Sequence, residues 1–276
     1  MKMPEQELTL AVDVGNTRMK FGMFERPDSM ETTCGLPDCA GSLAISAHEE
    51  VDWGVVHGHF AKWNSPITKT AVAGVNPAGM KRLLANWNLS CWPQPTIIGL
   101  ASDLPLRTNV DHPDQVGIDR LLDGVAANRL RAELQPAIII DSGTATTVNV
   151  VTADGVFEGG AILPGLDLQA RSLHRYTALL PLIDVQSLID NPVAALGRNT
   201  RAAIKSGIWF GQVGAIRELT AQLGESLGKP PLLLVTGGMG CWLAPALGTH
   251  FRFEADLALR ALAFVAQGRD AWPSSR

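Results

Sequence analysis

The sequence predicts an α/β chain built from two similar halves, and three observations lead there. An aliphatic run ends in an Asp-x-Gly turn at Asp13-Val14-Gly15, and another does so at Asp141-Ser142-Gly143. The second follows the first by close to half of the 276 residues, which is the trace an internal duplication leaves. Strand-like and helix-like segments alternate in both halves, the pattern of sheets covered by helices. At roughly 100–200 residues per domain, the length suits two lobes, and Pro136 marks a boundary between residues 1–134 and 135–276.

Taken in order, residues 8–14 are almost wholly apolar, as a strand buried on both faces requires, and residues 18–24 alternate like a half-buried partner. Residues 25–66 carry only weak patterning, read as short strands and a helix. Residues 70–75 predict a strand, and 77–87 a helix with Pro77 at its start, where a missing N–H costs nothing. Residues 96–98 suggest another strand. Leu121, Leu122, Val125, Ala126 and Leu130 recur at helical spacing within 115–134. Within 136–151 a short aliphatic run ends in Asp-x-Gly and a polar turn before a second strand begins, and after it come a tight turn at Ala153-Asp154-Gly155, a strand at 156–163 and a helix from Pro164-Gly165 to residue 180. Asn199 caps a long helix to about residue 227. Its glycines 207, 211 and 214 share a face, so another backbone is expected to approach there. A strand at 231–236 ends in Gly237-Gly238, and a helix covers 256–266.

Composition narrows the function classes. A net charge of −4 with no Lys or Arg run gives no footprint for nucleic acid. No segment approaches the ~20 apolar residues of a membrane span. The opening MKMPEQELTL lacks the apolar core of a signal peptide, so a cytoplasmic protein is expected. Cys34, Cys39, Cys91 and Cys241 lack zinc-ligand spacing and read as free thiols. His57 and His59 read as solvated loop residues, and Trp53, Trp63, Trp87, Trp92 and Trp209 as packing groups.

The two acidic turns carry the chemistry. Each offers backbone N–H groups suited to phosphate oxygens, and each adds a carboxylate that would repel a phosphate unless a cation lies between. Mg²⁺ typically uses one or two carboxylates together with phosphates and water, so the pair reads as a metal-nucleotide site to which Thr17 and Thr144 add hydroxyls. Neither a P-loop nor a strand-linked G-x-G-x-x-G is present. In the run Gly117-Ile118-Asp119-Arg120, Asp119 lies in the first turn of a helix, where the dipole favours its ionised form. A positioned carboxylate is what accepts a proton from an attacking hydroxyl in phosphoryl transfer, and Arg120 beside it is a fork for a carboxylate or phosphate.

DVGNTRMK at 13–20, VGIDR at 116–120, DSGTATT at 141–147, GGAILPG at 159–165, LGRNTRAAIKSG at 196–207, TGG at 236–238 and DLALRAL at 256–262 together resemble the type III pantothenate kinase family in order and spacing. The resemblance implies a duplicated RNase H-like, actin-like ATPase fold with mixed sheets and ATP between two lobes. It also implies ATP-dependent phosphorylation of the primary hydroxyl of pantothenate, the first step towards coenzyme A, by a homodimer using Mg²⁺ and a monovalent cation, K⁺ or NH₄⁺. Carried over by position, ATP contacts fall on Asp13, Val14, Gly15, Asn16, Thr17, Arg18, Met19, Lys20 and Thr144, with Asp13 near the Mg²⁺. The proton acceptor falls on Asp119, the monovalent cation on Asp141, and substrate contacts on Val110, Gly117, Ile118, Asp119, Arg120 and Thr200. Val110 stands where family members commonly have a tyrosine, and Asn149 where many have an acid. Two other readings share these residues: a nucleotide-binding accessory protein of the same family, and a kinase for another small hydroxylated acid or sugar.

Overall fold

The computed structural model describes residues 7–25, 35–63, 65–87, 91–189 and 192–268. It separates into two compact units, Met1–Leu130 with Asp256–Arg276, and Arg131–Ala255. In unit 1 the elements are β1 (Leu8–Val14), β2 (Arg18–Glu25), β3 (Cys39–Ser46), α1 (Trp53–Phe60), β4 (Ile67–Gly74), α2 (Pro77–Ala85), β5 (Thr96–Ile98), a two-residue β6 (Arg107–Thr108) and α3 (Ile118–Leu130). Unit 2 contains β7 (Ala137–Ser142), β8 (Ala145–Val151), β9 (Val156–Pro164), α4 (Leu166–Arg175), α5 (Thr200–Glu225), β10 (Leu232–Thr236), α6 (Gly240–Leu247) and β11 (Phe251–Phe253); α7 (Leu257–Gly268) then returns to unit 1.

The duplication expected from two Asp-x-Gly turns is present in the topology. In unit 1 the strands run β3-β2-β1-β4-β5, with β2 antiparallel to both neighbours and β1, β4 and β5 parallel. The strands of unit 2 run β9-β8-β7-β10-β11 with the same directions. This is the RNase H-like order, found once in each unit. Asp13 and Asp141 occupy the same place, one residue before the end of the central strand, opposite Lys20 and Thr147 respectively.

Burial explains why these residues make these strands. In β1, Leu8, Leu10, Val12 and Val14 are buried, with Ala11 filling the other face, and Val72 and Leu83 join the same core. Ile138, Ile140, Val148, Val213, Ile216 and Val235 do the same work in unit 2. The helix expected at 256–266 packs on β1, β4 and α3, so it belongs with unit 1, where the sequence reading places it in the second lobe. The reason is its apolar surface: Leu257, Leu259, Ala261, Leu262, Ala263 and Val265 are all buried there.

Three further expectations change. The helix after Pro164-Gly165 stops at Arg175. At glycines 207, 211 and 214 nothing in the chain comes within 4 Å of where a Cβ would stand, so the expected close backbone approach does not occur among the described residues. His57 and His59 lie on α1, their Nε2 atoms buried, and the His57 ring stacks 4.5 Å from Trp92 in a cluster with Trp53 and Trp87. Apolar rings around the imidazole, not water, set its surroundings. Cys39 and Cys241 are free thiols, as expected, and Cys34 lies outside the described residues.

One contact fixes the seat of α7. A Cβ added to Gly22 on β2 would stand 2.5 Å from Leu259 Cδ2. Gly22→Ala is expected to cost about 1–3 kcal/mol by overpacking and Leu259→Ala about 2–5 kcal/mol by opening a cavity. Urea denaturation of the double variant should then show less than the sum, because each change relieves the other.

Candidate functional site

The Asp13 turn is shaped by its own backbone and by the strand beside it. The Gly15 N–H donates to the Arg18 carbonyl at 2.9 Å, and the Val75 N–H donates to the Val14 carbonyl at 3.1 Å. Gly74 must lack a side chain, since a Cβ would lie 2.7 Å from Val14 Cβ and 2.8 Å from its carbonyl oxygen. Asn76, the N-cap of α2, accepts from the Gly79 N–H at 3.0 Å and donates from Nδ2 to the Gly15 carbonyl at 3.3 Å. It ties a helix start to the turn. The sequence reading missed this residue, although Asn before Pro77 at a helix start is a capping signal.

Within residues 13–20 the side chains divide. Asn16, Thr17 and Arg18 are exposed at the turn and Asp13 is partly so, whereas Val14 and Met19 are fully buried and can meet a ligand only through their backbone. Lys20 points to Asp256, at 3.2 Å, whose other oxygen accepts from Ser42 Oγ at 3.2 Å.

The 117–120 segment opens α3 in the same unit. The Gly117 carbonyl accepts from the Arg120 and Leu121 N–H groups at 3.0 and 3.3 Å. Asp119 folds back so that its Oδ1 accepts from the Arg120 N–H at 2.8 Å. That posture needs Gly117, where a Cβ would stand 2.5 Å from Asp119 Oδ1 and 3.4 Å from Val75 Cγ1. Val75 is also the residue bonded to Val14, so the structure brings Gly117 and the Asp13 turn onto one support. Ile118 is buried beneath. Burial pushes the Asp119 carboxyl above the ordinary aspartate range, only partly offset by the Arg120 N–H and then the Arg120 charge. Burial likewise lowers Arg120, against the pull of Asp119 and of Asp123, a fully buried carboxylate one turn on that the sequence reading did not single out. Val110 is half-buried in the loop before α3.

In unit 2 the second turn repeats the design with a shorter loop. The Gly143 N–H donates to the Ala145 carbonyl at 3.0 Å, Met239 N–H to the Ser142 carbonyl at 3.2 Å, and Gly165 N–H to the Thr144 carbonyl at 3.1 Å. Gly237, at φ +87°, takes the place of Gly74: a Cβ there would lie 2.3 Å from Asp141 Oδ1 and 2.5 Å from the Ser142 carbonyl oxygen. A carboxylate and a carbonyl oxygen thus converge beside a side-chain-free residue, which fits a hard cation. Asn149 is buried and donates to Thr147 Oγ1 at 3.0 Å. Thr144 is exposed on the turn, and Thr200 is exposed as the first residue of α5. Beside Asn199 a cleft of about 390 Å³ is lined by Asp184, Ser187, Arg201 and Lys205. Arg201 and Lys205 donate to the Leu182 and Ser187 carbonyls, and so brace that segment. Among the described residues no three His, Cys, Asp or Glu side chains cluster as a metal cage. One carboxylate per turn is the donor set expected where phosphates and water complete the ion's shell. No helix of the described residues is long and apolar enough to cross a membrane.

Residues 9–222 match the model of the type III pantothenate kinase family. A type III pantothenate kinase of Paramagnetospirillum magneticum is 35% identical over 260 residues, covering 92% of this chain and 95% of that one. Another, of Rhodospirillum rubrum, is 32% identical over 267 residues, covering 94% and 97%. In solved structures, the chain is similar to an activator of 2-hydroxyisocaproyl-CoA dehydratase from Clostridium difficile, at 13% identity and a TM-score of 0.49 over 98% of this chain and 100% of that one.

The raised carboxyl of Asp119 has a signed consequence for stability. The folded state holds this proton more tightly than the unfolded chain, so the contribution is full below the unfolded value and is lost as pH rises through the folded one. Asp119→Asn, which keeps an acceptor for the Arg120 N–H, should melt above wild type at neutral pH. The gap should close as pH falls below the ordinary aspartate range, as calorimetric scans across pH will show.

Proposed function

The chain belongs to the type III pantothenate kinase family, and from that premise we propose that it transfers the terminal phosphoryl group of ATP to the primary hydroxyl of pantothenate. The observation that carries the reading is the posture of Asp119: a carboxylate made more basic by burial, held by its neighbour's N–H and set on the same support as a phosphate-type turn. In the reaction the hydroxyl oxygen bonds to the γ-phosphorus, the bond to the ADP oxygen breaks, and the hydroxyl proton passes to Asp119. Arg120 pairs with the charge of the substrate, and Gly117, Ile118, Val110 and Thr200 shape its surroundings. Asn16, Thr17, Arg18 and Thr144 donate to phosphate oxygens, Val14, Gly15 and Met19 contribute backbone, and Lys20 acts through Asp256. Asp13 would hold the Mg²⁺ that accompanies ATP, and Asp141 with the Ser142 carbonyl the monovalent K⁺ or NH₄⁺. Bound there, these ions neutralise charge on the transferred group. A cytoplasmic place, where ATP is supplied, goes with this reading.

We further infer a homodimer. Along residues 203–216 of α5, Ile204, Ile208, Val213 and Ile216 are buried on one side, while Ala203, Gly207, Phe210, Gly211 and Gly214 are exposed on the other. Phe210 is 44% exposed, and Leu168 and Leu173 of α4, which packs on α5, are 44% and 36% exposed. A second copy of this face would cover these exposed apolar groups.

A coupled assay for ADP release with pantothenate, with and without K⁺ or NH₄⁺, is expected to show turnover that depends on both. Calorimetric binding of ATP without any turnover would instead support the accessory-protein reading. Asp119→Asn should retain ATP binding and lose roughly 10²–10⁴-fold in kcat, the usual worth of a general base. In the wild type, burial of Asp119 should move the acid limb of kcat/KM above the range of an exposed aspartate. Phe210→Glu is expected to give monomers by sedimentation equilibrium; if it sediments like wild type, α5 is not the dimer face.

A further inference from the structure

α5 carries one polar side chain that its neighbours give no reason to expect. Gln212 sits between Gly211 and Val213 and is 1% exposed. Its Nε2 donates to Thr146 Oγ1 at 2.8 Å, and Thr146 Oγ1 lies 3.3 Å from Ser142 Oγ, both hydroxyls fully buried. Its Oε1 accepts from Gln169 Nε2 of α4, and the same Gln169 nitrogen donates to the Pro164 carbonyl at 3.0 Å. Pro164 stands opposite Ala145, and Leu163 opposite Thr146, in the β8–β9 register. The network therefore touches both strands of the second acidic turn, at Ser142 before it and Thr146 after it, and the start of α4 that closes over it. Ser142 and Thr146 point to the opposite side of the sheet from Asp141 and Thr147, since successive side chains alternate.

We propose that Gln212 is a positioning residue that holds the Ser142–Thr146 turn from behind, so that Asp141 and Thr144 present their oxygens to the cation and the nucleotide; this rests on the role proposed above for that turn. A carboxamide is suited to the place because it accepts on one side and donates on the other at once, which neither a carboxylate nor an apolar side chain does. Buried polar groups of this kind favour a single arrangement only when all are satisfied, so loss of one member frees the others to move. The turn has no other side-chain brace among the bonds described on that side of the sheet, and two hydroxyls in the interior would each be left short of a partner.

The test uses the full chain. Gln212→Met fills the same space without hydrogen bonds, Thr146→Val removes the hydroxyl that Gln212 reaches, and Thr146→Ser keeps it. Calorimetric titration with a non-hydrolysable ATP analogue, and half-saturation of turnover by K⁺, should each weaken roughly 10-fold in the first two variants, as for residues that orient direct ligands. The KM for pantothenate should stay within about twofold, because that side chain set lies elsewhere, and Thr146→Ser should recover most of the affinity. The double variant Gln212→Met/Thr146→Val should be no worse than the weaker single variant, since both break one chain of bonds. If Gln212→Met and Thr146→Val lower only the melting temperature and leave analogue affinity and K⁺ half-saturation at wild-type values, Gln212 is merely structural and the proposal fails. If the wild type itself binds no analogue, the role assigned to the turn fails first, and the two failures are told apart by that control.

Discussion

Each unit depends on one constraint: the central strand ends in a carboxylate, and the parallel strand beside it must come close enough to support the turn that follows. Close approach is possible only where the neighbour has no side chain. Gly74 meets this in unit 1 and Gly237 in unit 2, with a Cβ at either place falling inside contact distance of the acidic turn. The rest follows from that proximity. Val75 can then bond to Val14, and Met239 to Ser142, so the backbone of the next crossover supports each turn. Side chains are thereby left over for chemistry.

The two units solve the remaining problem differently. The first turn has three residues between strands and is pinned at its edge by Asn76, a half-exposed cap whose loss would be shared with solvent. The second has two and is backed by Ser142, Thr146 and Gln212, all essentially removed from water. A solvated brace can be remade by water, while a buried one holds a single geometry because unsatisfied alternatives are costly. A direct cation contact needs fixed oxygens, and the rigid brace lies in the unit whose turn offers a carboxylate and a carbonyl together.

Much of this was legible before the structure. Aliphatic runs ending in Asp-x-Gly marked both hairpins, because burial on two faces and a tight polar turn leave a plain signature; Asn199 marked the start of α5 by capping. What was not legible depends on long-range packing. α6 contains Pro245, which by local rules argues against a helix, and only its burial under β10 and β11 sustains it. α7 follows unit 2 in sequence yet rests on β1 and β4, a choice that no local pattern records. The helical position of Asp119 is legible in the sequence, but its basicity is set by burial, and nothing in the local pattern of α5 marks Gln212.

The place of Lys20 links α7 to the chemistry. Opposite Asp13 in register and on the same face, it is the ammonium that would otherwise neutralise a phosphate at the first turn. Asp256, at the start of α7, draws it away together with Ser42. What remains at that turn is Arg18 as a basic side chain and Asp13 as an acidic one. A polyanionic ligand bound by such groups is repelled about as much as it is attracted unless small cations intervene. In the proposed reaction, dependence on added ions would then follow from where α7 packs: with Lys20 held by Asp256, charge neutralisation at the first turn would pass to the ions that accompany the nucleotide.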